Sequence, residues 1–209
     1  MSSLVIGTHS GAFQADEALG CWMLRRLEQY RDSKVIRSRD MEVLKPLDIV
    51  IDVAGEYDHS KLRYDHHQRG FFETFDGEPG VATGPENATG VFKTKLSASG
   101  LVYKHYGRDI IGVLYPELKG AQTSRTLARV MSGRQTHRPC YLLQGNAEKM
   151  DWVYNKMYVD FMEAIDGNDN GVEIADECRY KERSSLPHRV HRLNSRWNAS
   201  KASYSHPSG

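Results

Sequence analysis

The order of apolar segments predicts an α/β fold, with a mainly parallel sheet flanked by helices. Two observations carry this expectation. Residues 48–53 (DIVIDV) contain the β-branched run Ile49-Val50-Ile51, which suits a strand covered on both faces, and residues 4–8 (LVIGT) form a second short apolar run. Between them lies a stretch of helical spacing, so strand, helix and strand alternate.

The first strand, residues 4–8, runs into the polar turn His9-Ser10-Gly11-Ala12. Asp16 opens a helix in which Leu19, Trp22, Met23, Leu27 and Tyr30 follow helical spacing, with Asp16 and Glu17 at the end where carboxylates favour the dipole. Residues 34–39 (KVIRSR) make a further strand, residues 48–53 the strongest one, and residues 62–64 a short run leading into Asp65-His66-His67. Residues 72–95 carry Gly77, Pro79, Gly80, Gly84, Pro85 and Gly90 among few apolar side chains, which predicts a long surface loop. Residues 97–106 predict a helix N-capped by Ser97, continued by residues 109–114 beyond Gly107. In residues 150–165 Val153, Met157, Phe161 and Ile165 recur every four positions, with Tyr158 and Met162 alongside, predicting an amphipathic helix that ends at Gly167. Residues 119–149 break the order: six Lys and Arg face the single acid Glu148 without periodicity, and a disordered basic insertion is the expectation. The domain proper then spans residues 1–175, and residues 176–209 are expected to be the start of a truncated second lobe or a frayed tail.

Bulk composition narrows the classes. A chain of 209 residues allows one generous domain, and a net charge of +1 gives no global field for nucleic acid or anionic membrane, so any affinity for phosphate must come from local patches. Cys21, Cys140 and Cys178 are far apart, odd in number and without CxxC spacing, which suggests neither a disulfide framework nor a thiolate zinc site. No run approaches the ~20 apolar residues that span a bilayer. Met1 is followed too soon by an apolar run for a signal or transit peptide, so cytosol or nucleus is the expected location.

Asp65-His66-His67, within RYDHHQR, is the feature that core or solvated surface explains least well. Imidazole and carboxylate are ligands of zinc, manganese and iron, ions that acidify water and polarise phosphoryl oxygens. Partners stand where ligands gather in α/β sheets, at the carboxyl ends of strands. His9 follows the first strand with Asp16 beyond it, Asp52 closes DIVIDV among apolar neighbours, and Asp166 and Asp169 lie in AIDGNDNG after the long helix. Such a set suits two cations roughly 3.5 to 4 Å apart, with Asp52 bridging. Taken singly, His9 also suits a turn cap, Asp16 a helix-capping acid, and Asp166 and Asp169 a turn of Asp, Asn and Gly.

Residues 6–19 (IGTHSGAFQADEAL), 48–75, 94–107 and 153–171 closely resemble the Myg (melanocyte proliferating gene) family, a relative of the DHH phosphoesterases. The likeness covers roughly residues 1–115 and 150–197. It implies a RecJ-like DHH domain holding two divalent metals, Mn2+ or Mg2+, and 3'-to-5' exonuclease action on RNA. A mitochondrial location is also implied. By the same resemblance one metal takes His9, the position of Gln14, and Asp52; the other takes Asp16, Asp52, His66 and one of Asp166 or Asp169. His67 then faces the substrate phosphate, with Asp65 completing the catalytic motif. Lys95, Arg183, Arg189 and Arg192 are candidates to hold the RNA backbone. Three features depart from the family: Gln14 stands where histidine is usual and is the weaker ligand, residues 119–149 are foreign to the pattern, and the second lobe is largely absent. Two alternatives follow: a hydrolase of small phosphate compounds or pyrophosphate, and a non-catalytic fragment.

Overall fold

The computed structural model describes residues 3–78, 84–118 and 146–195. Its first half comprises β1 (Val5–Thr8), α1 (Ala15–Leu24), β2 (Lys34–Arg37), α2 (Met41–Leu44), β3 (Ile49–Ile51), β4 (Tyr57–Asp58) and β5 (Arg63–Tyr64). Helix α3 (Ala98–Leu114) follows, then α4 (Asn146–Met157), a π-helical turn (Tyr158–Met162), α5 (Glu163–Asp169) and α6 (Leu186–His191). The strands form one sheet in the order β2-β1-β3-β5-β4. All pairs are parallel except the β4–β5 hairpin.

All three residues of β3 are buried, as the β-branched run requires of a central strand. Ile6 of β1 sits opposite both Val35 and Ile49, so the chain leaves β1 to one side for β2 and returns on the other for β3. That reversal opens a crevice beyond the carboxyl ends of β1 and β3. One face of the sheet is closed by α2 and the residues after it: a Cβ on Gly7 would lie 2.7 Å from Leu47 Cδ1 and 3.1 Å from Leu44 Cδ2. On the other face α1 packs against α3 and β3, and Ile6, Leu24, Ile51, Leu101, Val102, Tyr158 and Met162 join in one core.

Several elements differ from the sequence reading. Helix α1 stops at Leu24, and a 3-10 turn (Glu28–Tyr30) carries Tyr30 back into the core, with Leu27 buried just before it; Trp22, on the same predicted face, is half exposed. Hairpin strand β4, two residues long, escapes pattern reading altogether. The glycine-rich loop is anchored inside: Phe75 stacks on Tyr158 with ring centroids 3.8 Å apart, and Leu96 N–H donates to Glu73 O. Helix α4 begins at Asn146, so residues 146–149 are helical although composition groups them with the basic insertion; residues 119–145 lie outside the described residues. Its buried face is Tyr154, Tyr158, Met162 and Ile165: the last three are expected, Tyr154 is added, and Met157 is exposed. The helical rod runs on to Asp169, so Asp166 and Asp169 occupy its last turn and not a loop. Helix α6 packs on α1 and α5 where fraying is expected, and residues 196–209 lie outside the described residues. Ser97 does cap α3, accepting from Gly100 N–H at 3.2 Å. Among the described residues no helix is long and apolar enough to cross a membrane.

Candidate metal centre

His9 leaves the end of β1, Asp52 the end of β3, and Asp65-His66-His67 the end of β5, so three adjacent parallel strands deliver their polar residues to one edge. The first turn of α1 adds Asp16 and Glu17, and the last turn of α5 adds Asp169. His9 Nε2 lies 3.3 Å from Asp52 Oδ2 and 3.5 Å from Glu17 Oε1. His66 Nε2 lies 3.0 Å from Asp169 Oδ2, and His67 Nδ1 3.6 Å from Asp52 Oδ1. Among the described residues three groups have ligand atoms all within 4.8 Å of one another: His9, Glu17 and Asp52; Asp16, His66 and Asp169; and Asp52, Asp65, His66 and His67. Asp52 and His66 each belong to two of them.

Asp52 is the pivot. It follows β3 in a left-handed conformation (φ 56°), continued by Ala54 and Gly55 at positive φ, a non-glycine geometry that costs on the order of 1 kcal/mol or more. The strain turns its carboxylate into the cluster, where both oxygens are buried without a hydrogen-bond partner. His9 Nε2 and His66 Nδ1 are in the same condition, so the 3.3 Å His9–Asp52 approach misses hydrogen-bond direction. Buried carboxylate and imidazole atoms left unpaired cost free energy that a bound cation would offset. The donor set, nitrogen and oxygen without thiolate, fits a divalent metal ion.

Charge at the edge is unbalanced toward acid. Neighbouring Asp52, then Glu17, pushes the His9 imidazole up to about 10. Burial raises Asp52, and burial followed by the charges of Asp169 and Asp52 raises Asp16 to about 7. Lys95 is pushed down by burial, against the pull of Asp169 and Asp65. Asp65 behaves otherwise. It accepts from Gly55 N–H at 2.6 Å, from His66 N–H at 2.8 Å and from His67 Nδ1 at 2.6 Å. Burial pushes its carboxyl up, but the hydrogen bonds from His67 and these amides outweigh it and hold it low. His67 is raised in turn by Asp65, and its ring is 59% exposed.

Asp16 and Asp166 both serve α3. Asp16 Oδ1 accepts from Ser97 Oγ and from Ser99 N–H at 2.7 Å, and Oδ2 from Ala98 N–H at 3.0 Å, which leaves one lone pair on Oδ2 facing the cluster. Asp166 accepts from Ser97 N–H at 3.0 Å, Ser97 Oγ at 2.8 Å and Tyr158 O–H at 2.9 Å. It is fully buried, raised to about 8 by that burial, and enters none of the three groups. Gln14 is the exposed N-cap of α1, its N–H donating to Glu17 Oε1 at 2.9 Å. Glu17 is the residue that sequence reasoning missed. It was legible only as a first-turn acid, whereas it is buried between His9 and Arg37, whose Nη2 lies 3.4 Å away.

The basic candidates divide between the cluster, where Lys95 feels Asp169 and Asp65, and the surface of α6. Arg189 and Arg192 line a separate surface pocket with Ser184, and Arg192 is tied to the carbonyls of Arg183 and His188. Their helix neighbours His188 and His191, three residues apart on one face, line the cavity over Asp16 and Asp169.

A MYG1 exonuclease family model, described as an uncharacterised protein family (UPF0160), matches residues 5–207. The MYG1 protein of Caenorhabditis elegans is 39% identical over 199 residues, covering 95% of this chain and 48% of the relative. That of Dictyostelium discoideum is 39% identical over 201 residues, 95% and 49% respectively. The MYG1 exonuclease of Homo sapiens is 38% identical over 196 residues, 92% and 43%. The chain thus spans about half the length of the curated relatives it matches. No solved structure matches it. With a family match that takes in every residue of the cluster from His9 to Asp169, the chain belongs to the MYG1 exonuclease family (UPF0160).

Proposed function

We propose that this chain is a metal-dependent phosphodiester hydrolase acting on RNA, a 3'-to-5' exonuclease with two Mn2+ or Mg2+ ions per site. The observation that carries this reading is the set of buried, unpartnered atoms of Asp52, His9 and His66 at the sheet edge. His9, Glu17 and Asp52 would hold one cation, and Asp16, His66 and Asp169 the other. Bound there, the cations would supply acidified water and polarise the phosphoryl oxygens. Asp52, which groups with His9 and Glu17 on one side and with His66 on the other, would contribute to both. Asp65 holds His67 by its Nδ1, so the exposed Nε2 is the ring nitrogen left to meet a phosphate oxygen. The hydrogen bond to Asp65 raises the pKa of His67, which favours the cationic ring toward that anion. Lys95 stands close enough to Asp169 and Asp65 to sense their charge and adds a second positive group. The human, rat and mouse relatives named MYG1 exonuclease support the nuclease class.

End-labelled single-stranded RNA incubated with Mn2+ tests the proposal. Stepwise shortening from the 3' end is expected. His66→Ala is expected to slow it by more than the roughly 10–100-fold that loss of a partner outside the ligand set costs. Intact RNA with the parent protein, or equal rates with His66→Ala, would contradict it. Parallel assays with pyrophosphate and dinucleotides separate the RNA reading from a small-phosphate hydrolase.

A further inference from the structure

We propose that the cavity between the loop after β1 and helix α6 seats a single nucleoside unit at the RNA end, so that this chain binds a base as well as a phosphate. The proposal rests on the phosphodiesterase reading above and assigns the substrate a second point of attachment. The cavity has a volume of about 320 Å³. That is the lower end of the roughly 300–1,000 Å³ range of small-molecule sites, with room for one nucleotide but not for a folded or paired strand.

Its position links it to the cluster. Asp16 and Asp169 line the cavity and also belong to the Asp16, His66 and Asp169 group, so a phosphate held at that group has its sugar and base directed into the adjoining space. The remaining wall is chemically mixed. Phe13, Ile165 and Pro187 offer apolar surface for a flat ring, while the amides of Gln14 and Asn168 each bring a donor and an acceptor, the combination a base edge requires. An alkyl chain would leave those amides unpaired.

Phe13 is an aromatic held in place and covered only in part. Its ring is crossed by the Arg37 guanidinium at 3.9 Å, and it remains 46% exposed. Asn194, beyond α6, clamps its backbone from both sides, Oδ1 accepting from Phe13 N–H at 2.6 Å and Nδ2 donating to Phe13 O at 2.8 Å. The same amide donates to His191 O at 3.2 Å, so the loop and α6 are fixed to each other across the cavity. His188 is oriented through Nδ1 by Ser185 Oγ at 2.8 Å, which leaves Nε2 for a ligand. A rigid, exposed aromatic beside paired amides is the arrangement on which bases stack.

Calorimetric titration of the Mn2+-loaded protein with nucleoside 5'-monophosphates, ribose 5-phosphate and inorganic phosphate tests this. Nucleoside monophosphates are expected to bind at least about tenfold more tightly than ribose 5-phosphate, the scale of one base stack. Phe13→Ala is expected to abolish that preference with Mn2+ affinity unchanged, and Phe13→Trp to keep it. Equal affinities for nucleotide and ribose phosphate, or a preference that survives Phe13→Ala, would overturn the proposal. RNA cleavage measured on the same samples separates the two readings: a base preference without cleavage upholds the cavity and sinks the exonuclease, whereas cleavage without base preference overturns the cavity alone.

Discussion

Asp166 and Asp169 sit one turn apart on α5 and meet different partners. Asp169 reaches His66 at 3.0 Å, while Asp166 spends its oxygens on Ser97 and Tyr158. Spacing of three residues puts both on one helix face and cannot choose between them; the choice is made by Ser97, a residue remote in sequence. Replacing each separates ligand from scaffold. Asp169→Asn is expected to weaken Mn2+ binding at unchanged melting temperature. Asp166→Ala leaves the Ser97 N–H and the Tyr158 hydroxyl buried and unpaired, a loss of at least about 2 kcal/mol of stability. Thermal denaturation and Mn2+ titration of the two variants check this, and a reversed pattern would show the roles misassigned. Glu17 and Asp52 illustrate the same limit. Asp52 was legible because its neighbours are apolar, whereas Glu17 looks like any first-turn acid until the fold sets His9 and Arg37 on either side.

At the scale of elements, the N-terminus of α3 is where the halves of the molecule are joined. Its free N–H groups and the positive end of its dipole are met by Asp16 from α1 and Asp166 from α5, with Ser97 Oγ bonded to both. Gly100 makes room for this, since a Cβ there would overlap Asp166 Oδ1. Alanine at an ordinary helix position gains about 1 kcal/mol over glycine. Here Gly100→Ala is expected to destabilise by about 1–3 kcal/mol, because it drives a buried carboxyl from its partners. Urea denaturation reads the sign directly, and a stabilised variant would refute the packing described. The Ser97 cap was visible in sequence because capping is local chemistry. The π-helical turn was not: the four-residue recurrence from Val153 to Ile165 imitates an α-helix, whereas Met157 before the turn is exposed and Tyr158 and Met162 within it are buried.

For the molecule as a whole, the strand order explains why residues from 9 to 169 converge. β1 lies between β2 and β3, so the crevice opens where His9 and Asp52 leave the sheet, and β5 alongside brings Asp65-His66-His67. The α/β class and the edge location were legible from buried runs and the polar residues that end them. Docking of α6 was not, because its six residues divide evenly between three basic and three apolar side chains and are too few to show a period. Gathering so many acids also has a consequence for stability. Asp16 at about 7 and Asp166 at about 8 lie above the usual unfolded carboxyl value near 3.9, and His9 at about 10 lies above roughly 6.5. Between those values the folded state keeps protons that the unfolded chain has released, so cation-free protein loses stability as pH rises from about 4 to about 10. Its melting temperature is expected to be higher at pH 5.5 than at pH 8.5, with Mn2+ restoring much of the loss at the higher pH as ligands give up their protons. A melting temperature that climbs with pH in the absence of cation would contradict this electrostatic picture.

The claim that this edge is a divalent-metal centre is tested most directly by titrating cation-free protein with Mn2+ and comparing it with Asp52→Asn. Binding of two ions per chain by the parent, and loss of both sites in the variant, is the expected result. No saturable binding by the parent, or an unchanged stoichiometry and affinity in Asp52→Asn, would contradict it.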